Sequence, residues 1–365
     1  LNFSSAGSNL RGEIGNLIEW NQPTEIPMKK LMKVLGLTLL ALVILVGGAV
    51  AFLALKPPQM RPPSTEKVEG TPARLARGEY LVVHVSDCLT CHSELNGERF
   101  GIPVRKGSEG KGGYPFTKAL GVPGVVCAQN ITSDKETGLG NWTDGEIIRA
   151  IREGIDRNGH ALFPMMPYES FREMSDEDVR SVVVYLRTLP PVRNQVPPKK
   201  IDFPVNLFVK AAPRPVEGVL TTPDPRKDPL GYGGYLVTIS SCRECHTPHD
   251  EKGQRIPSLD FSGGWEMLGP WGRVVTANIT PHKDTYMGKA TREEFIGRFK
   301  SFESLQGENA PIAPKGQNTV MPWLPFSGMT TDDLGMIYDY LKTIPPMEHR
   351  VVTFPDAPKP SGSAP

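Results

Sequence analysis

The chain has almost no excess charge of either sign: 41 Lys and Arg stand against 40 Asp and Glu in 365 residues. A field strong enough to gather nucleic acid is thereby excluded. Cysteine is scarce. Four of the five residues fall into two Cys-x-x-Cys-His strings and Cys127 stands alone, so a disulfide framework is a poor reading. Strand patterning is missing as well, and nothing competes with the helical signals below. Gly and Pro, 37 and 36 residues, are abundant. This content predicts short helices on long loops, and a thin apolar core unless a large flat group fills each domain.

The chain has one long apolar run. Met28-Lys29-Lys30 and Lys33 precede residues 34–55, which carry no charge. At about 1.5 Å per residue the run is roughly 33 Å long, enough to cross a hydrocarbon core of about 30 Å. The lysines favour a cytoplasmic N-terminus and an exported body. Ala49-Val50-Ala51 has the small-x-small form of a cleavage site. Against cleavage, the run exceeds a usual signal core, and Phe52-Leu53-Ala54-Leu55 continues it. The expectation is a retained, single-pass anchor in the inner (cytoplasmic) membrane, with the body on the periplasmic side. Residues 1–27 precede a natural start and read as upstream sequence or a short cytoplasmic tail. Residues 56–72, rich in Pro and polar side chains, read as an extended tether that lets the body move over the bilayer.

The rest is one unit written twice. Gly78-Glu79-Tyr80-Leu81-Val82 leads into Cys88-Leu89-Thr90-Cys91-His92, and Gly234-Tyr235-Leu236-Val237 into Cys242-Arg243-Glu244-Cys245-His246. Val126-Cys127-Ala128-Gln129-Asn130-Ile131-Thr132 is answered by Val274-Val275-Thr276-Ala277-Asn278-Ile279-Thr280. Met166-Pro167-Tyr168 is answered by Met321-Pro322-Trp323. Cys88 and Pro190 are 102 residues apart, Cys242 and Pro345 103. Two copies of one fold follow, at 73–191 and 228–347, joined by a Pro-rich strap at 192–227 and followed by a loose tail at 348–365. Thr143-x-x-Glu146 and Thr291-x-x-Glu294 are capping boxes for a middle helix. Ser175-x-x-Asp178 and Thr330-x-x-Asp333 open a last helix, which the Pro pairs at 190–191 and 345–346 end. Both units read as small all-helical domains.

A Cys-x-x-Cys-His string supplies two thiols for thioether bonds to a porphyrin edge and an imidazole for its iron. A zinc site would need partner ligands nearby, but the strings start 154 residues apart in separate repeats. A thioredoxin-like site would need an adjoining βαβ pattern, which is absent. The reading is two covalently bound haem c groups, on Cys88, Cys91 and His92 and on Cys242, Cys245 and His246. Met166 and Met321 follow their histidines by 74 and 75 residues, each before a proline, and are the candidate sixth ligands. Met165 has no counterpart in the other repeat. Met174 and Met329 sit where an apolar residue staples onto Val179 and Leu334. Asn130-Ile131-Thr132 and Asn278-Ile279-Thr280 read as structural loops whose polar side chains reach a haem propionate. Cys127, aligned with Val275, reads as a small buried side chain. The histidines outside the motifs have no repeat partner; among them His84 is the one to watch.

Together these residues resemble class I cytochrome c domains. Asn130-Ile131-Thr132-Ser133-Asp134-Lys135-Glu136-Thr137-Gly138-Leu139-Gly140, then Trp142-Thr143-Asp144, resembles the cytochrome subunits of membrane-bound alcohol and gluconate dehydrogenases. The resemblance implies an all-α protein of two tandem class I domains after one transmembrane helix. It implies His/Met ligation by His92 with Met166 and His246 with Met321. It also implies electron relay from a membrane dehydrogenase or quinol-oxidising complex to an oxidase or soluble cytochrome. Those subunits commonly carry three haem motifs and this chain two. The second repeat also has Lys289-Ala290 where the first has Asn141-Trp142, and a Gly/Pro-rich insert before Met321. The competing readings are a dihaem peroxidase, whose working iron needs a displaceable sixth ligand, and a structural subunit of a respiratory complex.

Overall fold

The computed structural model of the chain describes residues 27–251, 253–269, 272–305, 307–314 and 318–357. The N-terminal tail, apart from Pro27, and the last residues of the C-terminal tail lie outside the described residues. The chain divides into two bodies, one ending at Lys56 and one beginning at Pro57.

The first body is helix α1, Met28–Leu55. Among the described residues it is the helix long and apolar enough to cross a membrane. The Thr38 hydroxyl donates to the Val34 carbonyl one turn back at 2.8 Å.

The second body contains both repeats. In the first, α2 (Pro72–Tyr80) runs into a π-helical turn at Leu81–Val85 and then the short α3 (Cys88–Cys91). A hairpin of β1 (Pro115–Phe116) and β2 (Gly124–Cys127) follows, then α4 (Asp144–Glu153), α5 (Tyr168–Phe171) and α6 (Asp176–Leu186). The strap supplies β3 (Lys200–Ile201), antiparallel to β2, and α7 (Val205–Phe208). The second repeat gives α8 (Pro229–Ile239), α9 (Cys242–His246), the hairpin β4 (Glu266–Gly269) and β5 (Gly272–Val275), and α10 (Tyr286–Lys289). It ends with α11 (Arg292–Lys300), α12 (Trp323–Phe326) and α13 (Thr331–Leu341).

The body is mostly helical, but the expectation of a purely helical fold needs correction. A small hairpin stands at the same place in each repeat, with Cys127 and Val275 at its end. Cys127 is half-buried rather than buried, because its strand lies at the surface.

Local sequence places the long helices. The capping boxes at Thr143 and Thr291 are both closed in the two directions, and Ser175 and Thr330 accept from the amides of Asp178 and Asp333. Within each repeat the first helix crosses the last at a glycine. A Cβ on Gly78 would strike the Ser181 carbonyl, and one on Gly233 the Met336 carbonyl. Only glycine lets the two backbones come this close.

The repeats then pack on each other with approximate two-fold symmetry. Tyr80 donates to Asp333 at 2.6 Å and accepts from the Thr330 amide, while Tyr235 donates to Asp178 at 2.6 Å and accepts from the Ser175 amide. Residue i of one repeat meets residue j of the other and the converse also holds, which is the logic of an isologous interface written inside one chain. One apolar cluster runs through both repeats, from Leu81, Ile147 and Val182 to Leu236, Phe295 and Leu334. The insert before Met321 adds a contact with no twin. Asn318 bonds the Gly97 and Arg99 carbonyls and the Gly101 amide, and Phe302 stacks on Phe100 at 5.5 Å.

The segment after α1 is extended but not loose. Val68 donates to Asp144 at 2.9 Å, Glu66 pairs with Arg180 at 2.7 Å, and Arg61 pairs with buried Glu153 at 2.8 Å. Residues 61–68 are therefore fastened to the first repeat. The tail also differs from expectation through residue 357. The Val275 amide donates to Thr353, Asp356 pairs with Arg273 at 2.9 Å, and Phe354 packs beside Val274.

Candidate haem sites

Each Cys-x-x-Cys-His string sits on a single helical turn entered through a residue of left-handed conformation, Asp87 (φ 45°) before Cys88 and Ser241 (φ 55°) before Cys242. The turn places the two cysteines of a string three residues apart on one face. All five cysteines are free thiols. Cys245 is exposed and the other motif cysteines are half-buried. Their surroundings disfavour charge: burial pushes the half-buried Cys88, Cys91 and Cys242 up to about 12, so each of these three is a neutral thiol. Burial also lifts the Asp87 carboxyl to about 7, against the hydrogen bonds it receives from Thr90.

The histidines are held alike. Nδ1 of His92 faces the Gln129 carbonyl at 2.6 Å, and Nδ1 of His246 the Ala277 carbonyl at 2.7 Å. A carbonyl only accepts, so each Nδ1 carries the proton, and among the described residues Nε2 has no partner. Burial holds both rings below the usual imidazole range, hence neutral. A neutral imidazole with a fixed Nδ1–H is the form that binds a metal through Nε2.

The accepting carbonyls are placed by the Asn-Ile-Thr loops. Asn130 Oδ1 accepts from the amide and hydroxyl of Thr132, and its Nδ2 donates to Thr137 and the Val192 carbonyl. Asn278 does the same with Thr280 and the carbonyls of Met347 and His349. These side chains are fully engaged, so the expected reach to a propionate is corrected: they hold the loop. Gly112 and Gly263, at φ 72° and 69°, donate to the His92 and His246 carbonyls at 2.8 Å. A Cβ there would strike residues 129 and 277, so glycine is required where loop and motif meet.

Met166 and Met321 lie in matching turns, each carbonyl accepting from the amide two residues on at 2.7 Å. Both are half-buried against the common core, as are Cys88 and Cys242, whereas Met165 takes no part in it. Met174 and Met329 are fully buried core residues. The remaining histidines are engaged elsewhere. His84 faces the Pro325 carbonyl at 2.9 Å and His349 that of Ser262 at 3.0 Å; His160 pairs with Asp156, His282 stands 3.9 Å from Asp284 and His249 packs against Trp265 with the rings tilted by 44°. Sequence reasoning missed the backbone acceptors Gln129 and Ala277 and the interface tyrosines Tyr80 and Tyr235. The tyrosines were open to detection, because both recur at one repeat position.

Free thiols in pairs, neutral imidazoles with an open Nε2 and matched methionines form a donor set that fits covalently held haem. The chain is similar to cytochrome c subunits of dehydrogenases. The alcohol dehydrogenase (quinone) cytochrome c subunit of Gluconobacter oxydans (strain 621H) is 27% identical over 293 residues, 75% of this chain and 55% of that one. The gluconate 2-dehydrogenase cytochrome c subunit of Pantoea cypripedii is 28% identical over 285 residues, 74% and 60%. A diheme cytochrome c-type protein of Cereibacter sphaeroides is 29% identical over 320 residues, 85% of this chain and 97% of its own length. The chain thus spans little more than half of the first two cytochromes and nearly all of the diheme one. No family model matches it.

Proposed function

We propose that the chain is a membrane-anchored dihaem cytochrome c. It transfers single electrons from a membrane dehydrogenase or quinol-oxidising complex to a downstream acceptor such as a terminal oxidase. The doubled arrangement of motif, histidine-to-carbonyl hydrogen bond and matched methionine carries this reading. Cys88 and Cys91, and Cys242 and Cys245, supply the thioether bonds. His92 and His246 would hold the iron through Nε2, and Met166 and Met321 would supply its thioether ligands. When bound, haem c supplies a one-electron couple, whose potential the methionine raises. The chain's own work is to fix the imidazole tautomer, exclude other ligands and set polarity around the ring. Helix α1 keeps the body at the periplasmic face of the inner membrane, near membrane partners at high effective concentration.

Visible spectra of the purified protein, oxidised and reduced, test this. Two low-spin haems with a methionine-to-ferric-iron charge-transfer band are expected, with Met166→Ala and Met321→Ala each removing about half of that band. A high-spin or readily ligated haem in the wild type would sink the carrier assignment for that repeat. Peroxide turnover by that haem would then identify a dihaem peroxidase.

A further inference from the structure

Two arginines face one cavity on the first repeat. It measures about 400 Å³ and is bordered by Gln59, Arg172, Glu173, Arg214, Glu217 and Leu220. Nε and Nη2 of Arg172 are buried and have no hydrogen-bond partner among the described residues. Buried guanidinium donors without an acceptor are costly, and native proteins rarely leave them so. Burial and then the like charge of Arg214 hold the Arg172 pKa below its ordinary range, against the pull of Glu169 and Glu153. Oxygen Oε1 of Glu153 is taken by Arg61 and the Val216 amide, while its Oε2 is buried and, among the described residues, has no hydrogen-bond partner either. Arg214, Glu173 and Glu217 are all exposed at the rim, where solvent screens them, and Arg172 is the half-buried one of the four.

We propose that this cavity binds an anionic phosphate group between Arg172 and Arg214, and that an anionic phospholipid headgroup supplies it. Guanidinium pairs are suited to phosphate because their planar donors meet its oxygens two at a time. The source follows from the covalent path. Gln59 is four residues beyond Leu55, the end of α1, so the chain keeps it within roughly 14 Å of that end. The strap leading to Arg214 carries Phe203 and Phe208, 69% and 55% exposed. Aromatic side chains of this kind settle at the headgroup layer. The lipid source rests on the reading of α1 as a retained anchor.

Full-length haem-loaded protein is exposed to vesicles of phosphatidylglycerol and phosphatidylcholine, re-purified in detergent, and its retained lipid phosphorus measured. Phosphatidylglycerol is retained and phosphatidylcholine is not, and Arg172→Gln or Arg214→Gln lowers retention about tenfold. Arg226→Gln, an exposed arginine beside Asp224, leaves it unchanged. Haem absorbance and helical circular dichroism check the fold of every variant, and Arg214→Gln serves if Arg172→Gln does not fold. In a second arm, inorganic phosphate is titrated onto delipidated protein while its melting temperature is followed. A rise abolished by both arginine variants, without lipid retention, assigns the site to phosphate from solution. Absence of both retention and rise, or equal values in the variants, overturns the proposal. Loss of protein from the membrane in a carbonate wash marks failure of the anchor reading instead.

Discussion

Asp178 receives Arg77 through two hydrogen bonds of 2.8 Å, Tyr235 at 2.6 Å and Thr222 at 3.4 Å. Among the described residues, the Asp333 carboxylate receives Tyr80 alone, at 2.6 Å. The two-fold related tyrosines therefore have unequal weight. Both hydroxyls are raised, Tyr80 by burial first and then by its aspartate, so each remains a protonated donor at any pH the fold meets. Tyr235→Phe leaves a carboxylate still paired with Arg77, and a cost of about 1 kcal/mol is expected. Tyr80→Phe strips a nearly buried carboxylate of its side-chain partner and should cost about 2–3 kcal/mol. Thermal unfolding of the two variants checks the order, and equal losses would mean that Arg77 contributes nothing to Asp178. At this scale the sequence was legible in types but not in roles. The four cysteines and two histidines were evident from their strings, whereas Gln129 and Ala277 act through backbone carbonyls, which no side-chain pattern reveals.

Helix α2 and its π turn differ from α8 by one residue. Tyr80 precedes Cys88 by eight positions and Tyr235 precedes Cys242 by seven. The Ser86 amide reaches back five residues to Leu81, while the Ser240 amide reaches back four to Leu236. The extra residue is thus absorbed as a bulge inside the helix, and both its ends keep register with the other repeat. Deleting Val83 should convert the bulge to α-helix with helix content and haem attachment retained, at the expense of the His84 contact to Pro325. Deleting Val237 from regular α8 rotates everything beyond it by about 100°, and haem attachment at Cys242 and Cys245 should fail. Pyridine haemochrome counts separate the two outcomes. The length difference was visible in the sequence, but not whether a loop or a helix would hold it. The hairpins were not legible, since β1 and β2 have two and four residues and no alternation. Prolines made residues 56–72 and the tail look loose. Pairs such as Val68 with Asp144 and Asp356 with Arg273 join residues 76 and 83 positions apart, beyond the reach of local pattern.

At the scale of the molecule, the repeat predicts two folding units, and the packing joins them. The apolar cluster passes from Val85 and Phe171 of one repeat to Tyr232, Phe326 and Met329 of the other. Separation would expose that surface and leave Asp178 and Asp333 without Tyr235 and Tyr80. It would also undo the Asn318 bonds to the first repeat. Stability at the seam then belongs to both repeats, and one should not outlast the other. Heating the haem-loaded protein should give a single transition, with helical circular dichroism and the methionine–iron band of either haem lost at the same temperature. Gly78→Ala provides the decisive variant, because its Cβ meets the Ser181 carbonyl within the first repeat alone. A loss of about 1–3 kcal/mol is expected from such overpacking. If the repeats are one cooperative unit, that loss lowers the midpoint of both haem bands equally. If they were independent domains, the band due to Met321 would melt at its original temperature while that due to Met166 melted earlier.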